Sequence, residues 1–214
     1  MSRTRLHTKY FLKDGTRVSG ATTIINNNLG WNKNVLVAWA RKTAIQGEDP
    51  NKVRDKAAEI GTIAHKMIEW HLKNKDPDNK WLAEYAPADV DKAENAFLAY
   101  LDWESQHDVK VVKSEEKLVS EKYKYGGTLD FVAKVDGKLS LIDFKTSNGL
   151  YVEHKIQVAA YEYLYYENHG DHLKVHLLQL TKEGEFNYHP LNKLDTYFEV
   201  FKHLLALDQL RRQV

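Results

Sequence analysis

The chain has 214 residues with 43% hydrophobic content and no long Gly-, Ser- or Pro-rich linker, which suits one domain with a sizeable core. Its 31 basic and 30 acidic residues nearly cancel, giving little sign of a polyanionic partner, and the absence of cysteine excludes disulfides, thiolate-bound iron–sulfur clusters and a cysteine nucleophile. No apolar run approaches the ~20 residues of a membrane span, and the opening Met-Ser-Arg-Thr-Arg lacks a secretory core, so a soluble, cytoplasmic protein without membrane association is expected.

A short hairpin is expected near residues 8–19, with a turn at Asp14-Gly15, before Val18 to Ile24 enter a helix. Up to Lys42, the basic residues Arg3, Arg5, Lys9, Lys13, Arg17, Lys33, Arg41 and Lys42 face only Asp14, a bias that makes either a phosphate-attracting surface or simply a solvated face. Helices follow near 33–46 and 51–73; the second is capped at Asn51 or a neighbour and carries an apolar stripe of Ala57, Ala58, Ile60, Ala64, Ile68 and Leu72. A helix near 87–106 precedes strands at about 109–120, 126–135 and 138–146, and a further helix spans 153–168. Strands at 175–181 and 185–189 flank Gly184, and a helix from about 191 to 212 closes the sequence. The order predicts an α/β fold with a central mixed sheet covered by helices, divided as an N-terminal extension (1–50), a catalytic core (51–190) and a C-terminal helix (191–214). Trp31, Trp39, Trp70, Trp81 and Trp103 offer stacking surfaces for unpaired bases, although most tryptophans fill cores.

The most informative stretch is the hairpin around Asp136-Gly137, the strongest short-range hairpin signal. A two-residue turn there pairs Val135 with Lys138, Phe131 with Ile142 and Asp130 with Asp143. Directly opposed side chains lie ~5 Å apart, where two carboxylates repel, and Lys145 falls on the Asp143 side. Leu129, Phe131, Ile142 and Phe144 are expected to form the apolar back. Hard oxygen ligands favour Mg²⁺, Mn²⁺ or Ca²⁺, and such an ion beside an amine suits phosphodiester hydrolysis. From spacing alone, the same residues also describe an edge hairpin whose charges are solvated.

The order Asp130, then Asp143-Phe144-Lys145, resembles the PD-(D/E)XK nuclease superfamily, and Gly127-Thr128-Leu129-Asp130 with Ile142-Asp143-Phe144-Lys145-Thr146-Ser147 resembles its RecB-type exonuclease branch. Gly61-Thr62-Ile63-Ala64-His65-Lys66-Met67-Ile68-Glu69 and Gln157-Val158-Ala159-Ala160-Tyr161 resemble two further motifs of that branch. A lone helical histidine is more often an ordinary surface or core residue, but its companions make His65 a candidate ligand. A zinc site is not expected, because His65, Glu69 and His71 miss the His-Glu-x-x-His spacing and no thiolate is present.

The resemblance implies a restriction-endonuclease-like core and a metal-dependent DNA exonuclease acting on single-stranded or duplex ends. Mg²⁺ or Mn²⁺ would be held by His65, Asp130, Asp143 and the Phe144 carbonyl, with Lys145 assisting the attacking water. Glu69 and Glu115 would support the metal site; Glu115 is favoured over Glu116 by a Glu-x-x-Leu pattern ending at Leu118. Gln157, Tyr161, Thr128 and Thr146 would contact the strand, although packing is an equally good reading of Tyr161. Without cysteine, the chain departs from cluster-bearing relatives and looks closer to stand-alone phage and mitochondrial genome maintenance exonucleases. The motifs leave open a structure-specific or nonspecific endonuclease and a silent nucleic-acid-binding module on the same fold, as well as the oligomeric state. A serine hydrolase has little support, since no Gly-x-Ser-x-Gly elbow occurs.

Overall fold

The computed structural model describes residues 8–214, so Arg3 and Arg5 of the basic N-terminal stretch lie outside the described residues. A small hairpin of β1 (Tyr10–Phe11) and β2 (Arg17–Val18) leads into α1 (Ala21–Asn28), α2 (Lys33–Ile45), α3 (Pro50–Leu72), α4 (Asn79–Leu82) and α5 (Pro87–Ser105). Three long strands follow, β3 (Val109–Ser120), β4 (Tyr125–Val135) and β5 (Lys138–Lys145). The chain then crosses over through α6 (Val152–His169) to β6 (Lys174–Leu180), turns back along β7 (Phe186–Leu191) and ends on α7 (Leu194–Arg211).

The architecture is α/β: one mixed five-stranded sheet in the order β3-β4-β5-β6-β7, flanked by helices. Neighbours pair antiparallel except β5 with β6, where α6 supplies the long connection that a parallel pair needs. Asp136 and Gly137 take φ of +49° and +78°, the double left-handed turn that Asp-Gly favours, and the ladder runs from Val135–Lys138 to Phe131–Ile142 as expected. Asp49, rather than Asn51, caps α3: its carboxylate accepts the Asn51 N–H at 2.9 Å and Pro50 opens the first turn. The short helix α4 was not expected, since four residues carry no readable period; the Asp78 carboxylate nucleates it by accepting from Lys80 N and Trp81 N.

Each sheet face has its own core. Helices α3 and α5 bury Ile63, Ala64, Ile68, Tyr100 and Trp103 against Phe131, Ile142 and Phe144, whereas α1, α6 and α7 bury Ile24, Ile156, Leu164 and Phe201 against Leu141 and Val132. Trp70 and Trp103 are core residues, while Trp31 and Trp39 are exposed.

One expectation fails at the centre of the sheet. Leu129 does not share the back with Phe131 but joins the opposite core, with Leu141. Two irregularities coincide there. Glu115 adopts a left-handed φ of +54°, uncommon for a residue with a Cβ, and the β3–β4 pairing steps from Ser114–Phe131 to Glu116–Leu129 around it. The β4–β5 ladder stops at Phe131–Ile142, so Asp130 and Asp143 are not a cross-strand pair; Asp130 Oδ2 instead accepts the Phe144 N–H at 3.0 Å. The strands part at the two aspartates, and the opening lets side chains from both faces of the sheet meet.

Candidate active site

Helix α3 approaches the end of β5 closely. A Cβ built on Gly61 would lie 2.7 Å from the Thr146 Oγ1, so only glycine admits this approach. One turn later, His65 packs edge-on against the Phe144 ring at 5.8 Å, and the Phe144 carbonyl accepts from it. Its Nδ1 is 3.7 Å from Asp130 Oδ2. His65, Asp130 and Glu115, the last swung toward α3 by its left-handed backbone, bring one ligand atom each within 4.8 Å of one another. Glu116 points away and contacts His169 at 3.1 Å.

The second half of the site faces α6. Asp143, 1% exposed, is ion-paired with Lys145, whose Nζ also donates to Gln157 Oε1 at 3.1 Å. Gln157 Nε2 in turn donates to Tyr161 Oη at 2.8 Å and to Thr22 Oγ1 at 3.0 Å. Gln157 thereby holds the amine in place, and Tyr161 and α1 hold the glutamine.

Burial governs the protonation of these groups. It holds His65 down at about 4, with Lys145 adding to the effect, so the imidazole is neutral and its lone pair is available to a metal. Burial also raises Asp130 and, with Asp130 repulsion, lifts Asp143 to about 6 against the opposing pull of Lys145. Glu115 rises to about 7 through burial, then through repulsion from Asp130 and Glu69. Burial alone would raise Glu69, but hydrogen bonds from Lys66 and Lys73 outweigh it and pull the carboxyl down.

A neutral imidazole and two crowded carboxylates fit a hard divalent cation, whose charge would offset the repulsion that raises Glu115. These groups open onto a cleft of about 950 Å³. Its walls include His65, Glu69, Glu115, Asp130, Phe144, Lys145, Thr146 and Gln157 among the residues singled out from sequence. Asp143 and Tyr161 lie beneath the wall rather than on it, and Glu69 is engaged by Lys66 at 2.8 Å and Lys73 at 2.6 Å. Thr128 is not on the cleft wall; its hydroxyl is hydrogen-bonded to Tyr10 Oη at 2.9 Å, tying the β1–β2 hairpin to β4.

The sequence reading missed Thr22, Arg54, Tyr151 and His154, which also line the cleft. Of these, only His154 carried a readable signal, since three residues before Gln157 it shares that helix face.

The PD-(D/E)XK nuclease superfamily matches this chain over residues 37–213. Among solved structures, the chain resembles a "Putative exonuclease" from Eubacterium rectale, with a TM-score of 0.50 and 16% identity over 73% of this chain, a likeness of fold. The match spans 65% of that longer protein. SSO0001, 21% identical over 72% of this chain and 86% of its own, has a TM-score of 0.31, too low to bear on the fold. No curated protein matches the sequence.

Proposed function

Because the chain belongs to the PD-(D/E)XK nuclease superfamily, we propose that it is a metal-dependent deoxyribonuclease of the RecB-type branch, acting as an exonuclease on DNA ends in recombination, repair or phage DNA processing. The observation that carries this reading is the convergence of His65, Glu115 and Asp130 beside the Asp143–Lys145 pair where β4 and β5 part. A metal centre next to an amine is what hydrolysis of a phosphodiester needs. The likeness of fold to the Eubacterium rectale "Putative exonuclease" is in keeping with the exonuclease reading.

His65, Asp130 and Glu115 would hold Mg²⁺ or Mn²⁺, and Asp143 and the Phe144 carbonyl would be further ligands, as the family motif implies. When bound, the ion supplies Lewis acidity toward a phosphate oxygen and a lowered pKa for water. The chain's own residues do the rest. Lys145, steadied by Asp143 and Gln157, presents a compact cation that orients the attacking water and offsets charge on the phosphate. Thr146 lines the approach to Lys145, and Tyr161 acts from below by fixing Gln157. All of this lies in one nuclease domain of residues 1–214, working inside the cell; among the described residues, no helix is long and apolar enough to cross a membrane.

The test is cleavage of end-labelled single-stranded and duplex linear DNA beside closed circular DNA, with Mg²⁺, Mn²⁺ or EDTA and an Asp143→Ala control. Metal-dependent loss of linear DNA with intact circles is the expected result. Cut circles would replace the exonuclease with an endonuclease, and no cleavage by the folded protein would favour the silent binding module.

A further inference from the structure

Helix α6 presents three polar residues to the site along one face, His154, Gln157 and Tyr161. Two of them are already engaged with each other and with Lys145, but His154 stands one turn earlier on the helix and lines the cleft wall. Its backbone N–H donates to the Tyr151 carbonyl at 3.1 Å, and its Nδ1 accepts the Tyr151 N–H at 3.3 Å. The ring lies edge-on to the Tyr151 ring at 5.5 Å. With Nδ1 occupied as an acceptor, the neutral ring carries its proton on Nε2. No acceptor among the described residues is bonded to that Nε2–H. The helix N-cap thus fixes both the tautomer and the direction of a donor beside Lys145.

We infer that His154 is a substrate-binding residue of this site: its neutral Nε2–H donates to a non-bridging oxygen of a backbone phosphodiester adjacent to the scissile one. The inference rests on the nuclease reading above. The charged group that acts on the ring is Lys145 from β5; Glu153, which accepts from Asn32, and Arg54, which is paired with Asp55, line the same cleft. Burial and the Lys145 charge hold the ring down at about 3, so the donor stays uncharged and takes no part in proton transfer at neutral pH. A hydrogen bond without charge fixes the position of the strand while leaving long-range attraction to the basic residues.

The experiment compares wild type, His154→Ala and His154→Gln on labelled oligonucleotides carrying one uncharged methylphosphonate at successive positions, with thermal melts of each protein. On unmodified DNA, His154→Ala should lower kcat/KM about tenfold or more, and His154→Gln, which keeps an N–H donor, should recover most of it. At one phosphate near the cut, methylphosphonate should slow wild type by a similar factor and leave His154→Ala unchanged. The slope of log kcat/KM against log salt should be the same for wild type and His154→Ala, because no charge is lost. The inference is overturned if His154→Ala cleaves like wild type, if each methylphosphonate slows both proteins equally, or if the salt slope falls. It is also overturned if Gln fails to rescue while melting temperature drops, which would make His154 a purely structural cap. Wild type that cleaves nothing would remove the nuclease reading, and this inference with it, a result distinct from active enzyme indifferent to His154.

Discussion

The two halves of the site differ in how their charges are balanced. On the α3 side, Glu115 and Asp130 face a neutral His65, and the carboxyls are pushed up by burial and by one another. On the α6 side, Asp143 already has its cation, because Lys145 lies against it and is held by Gln157. In the first half the nearby Lys66 and Lys73 are taken up by Glu69, and the second half holds its cation in direct contact. That difference separates two jobs usually described together, binding a divalent ion and steadying the water and phosphate.

Removing one residue from each half separates the two roles. Asp130→Asn should abolish both cleavage and the rise in melting temperature that Mn²⁺ gives the wild type. Lys145→Met should lower cleavage by ~100-fold or more while keeping that metal-dependent rise. Calorimetric melts with and without Mn²⁺, run beside the cleavage assay, read both quantities. A Lys145→Met protein that no longer responds to metal would show that the halves are not separable.

Sequence resolved these halves unequally. The Lys145 half was legible because it is local: Asp143 and Lys145 alternate on one strand, and Gln157 follows on the next helix. The overall fold was legible for a similar reason, since strong turn signals at Asp136-Gly137 and Gly184 and long amphipathic helices set the elements to within a few residues. What was hidden depends on distortion. Nothing in the letters around Glu115 announces a left-handed residue inside a strand, because the usual marker, glycine, is absent. That distortion accompanies the crossing of Leu129 to the other core and the unpairing of Asp130 from Asp143. The contact of Thr128 with Tyr10 was hidden because the hairpin that claims its hydroxyl lies 118 residues away in sequence.

Each half also rests on its own core. Phe131→Ala, beneath the α3 side, and Leu164→Ala, beneath the α6 side, both empty fully buried positions and should each cost ~3–5 kcal/mol in denaturant unfolding. Their effects on the site should diverge. Loss of Phe131 loosens the strand that carries Asp130 and should weaken metal binding, whereas Leu164 supports the helix that holds Lys145 through Gln157. Metal titration of the two folded variants distinguishes them.

A smaller change tests the close approach of α3. Gly61→Ala places a methyl group 2.7 Å from Thr146 Oγ1, so the helix or the threonine must shift, at a cost of ~1–3 kcal/mol. His65 rides on the same helix one turn later, and its distance to Asp130 should lengthen. Weaker Mn²⁺ binding than in wild type, with partial recovery when Thr146→Ala is added to remove the hydroxyl that the new methyl group meets, is the expected pattern. An unchanged metal affinity would mean that the helix absorbs the methyl group without moving His65.

The smallest effect concerns protons. Glu115 titrates at about 7 in the folded chain against an ordinary 4.5, so between these values the folded protein binds the proton that the unfolded chain has released. Stability of the metal-free protein should therefore fall as pH rises from about 4.5 to about 7 and level off above, the opposite of a salt-bridged acid. Glu115→Gln removes the group and should flatten that slope, making the metal-free variant gain on wild type between pH 5 and pH 7.5. Asp130 and Asp143 are also raised, so some slope remains. Adding Mn²⁺ should reverse the order at pH 7.5: wild type gains stability once its carboxylates have a cation to face, and Glu115→Gln gains less. Chemical denaturation at three pH values, with EDTA or Mn²⁺, gives all four comparisons, and a variant slope equal to wild type would place Glu115 outside the charge-crowded half.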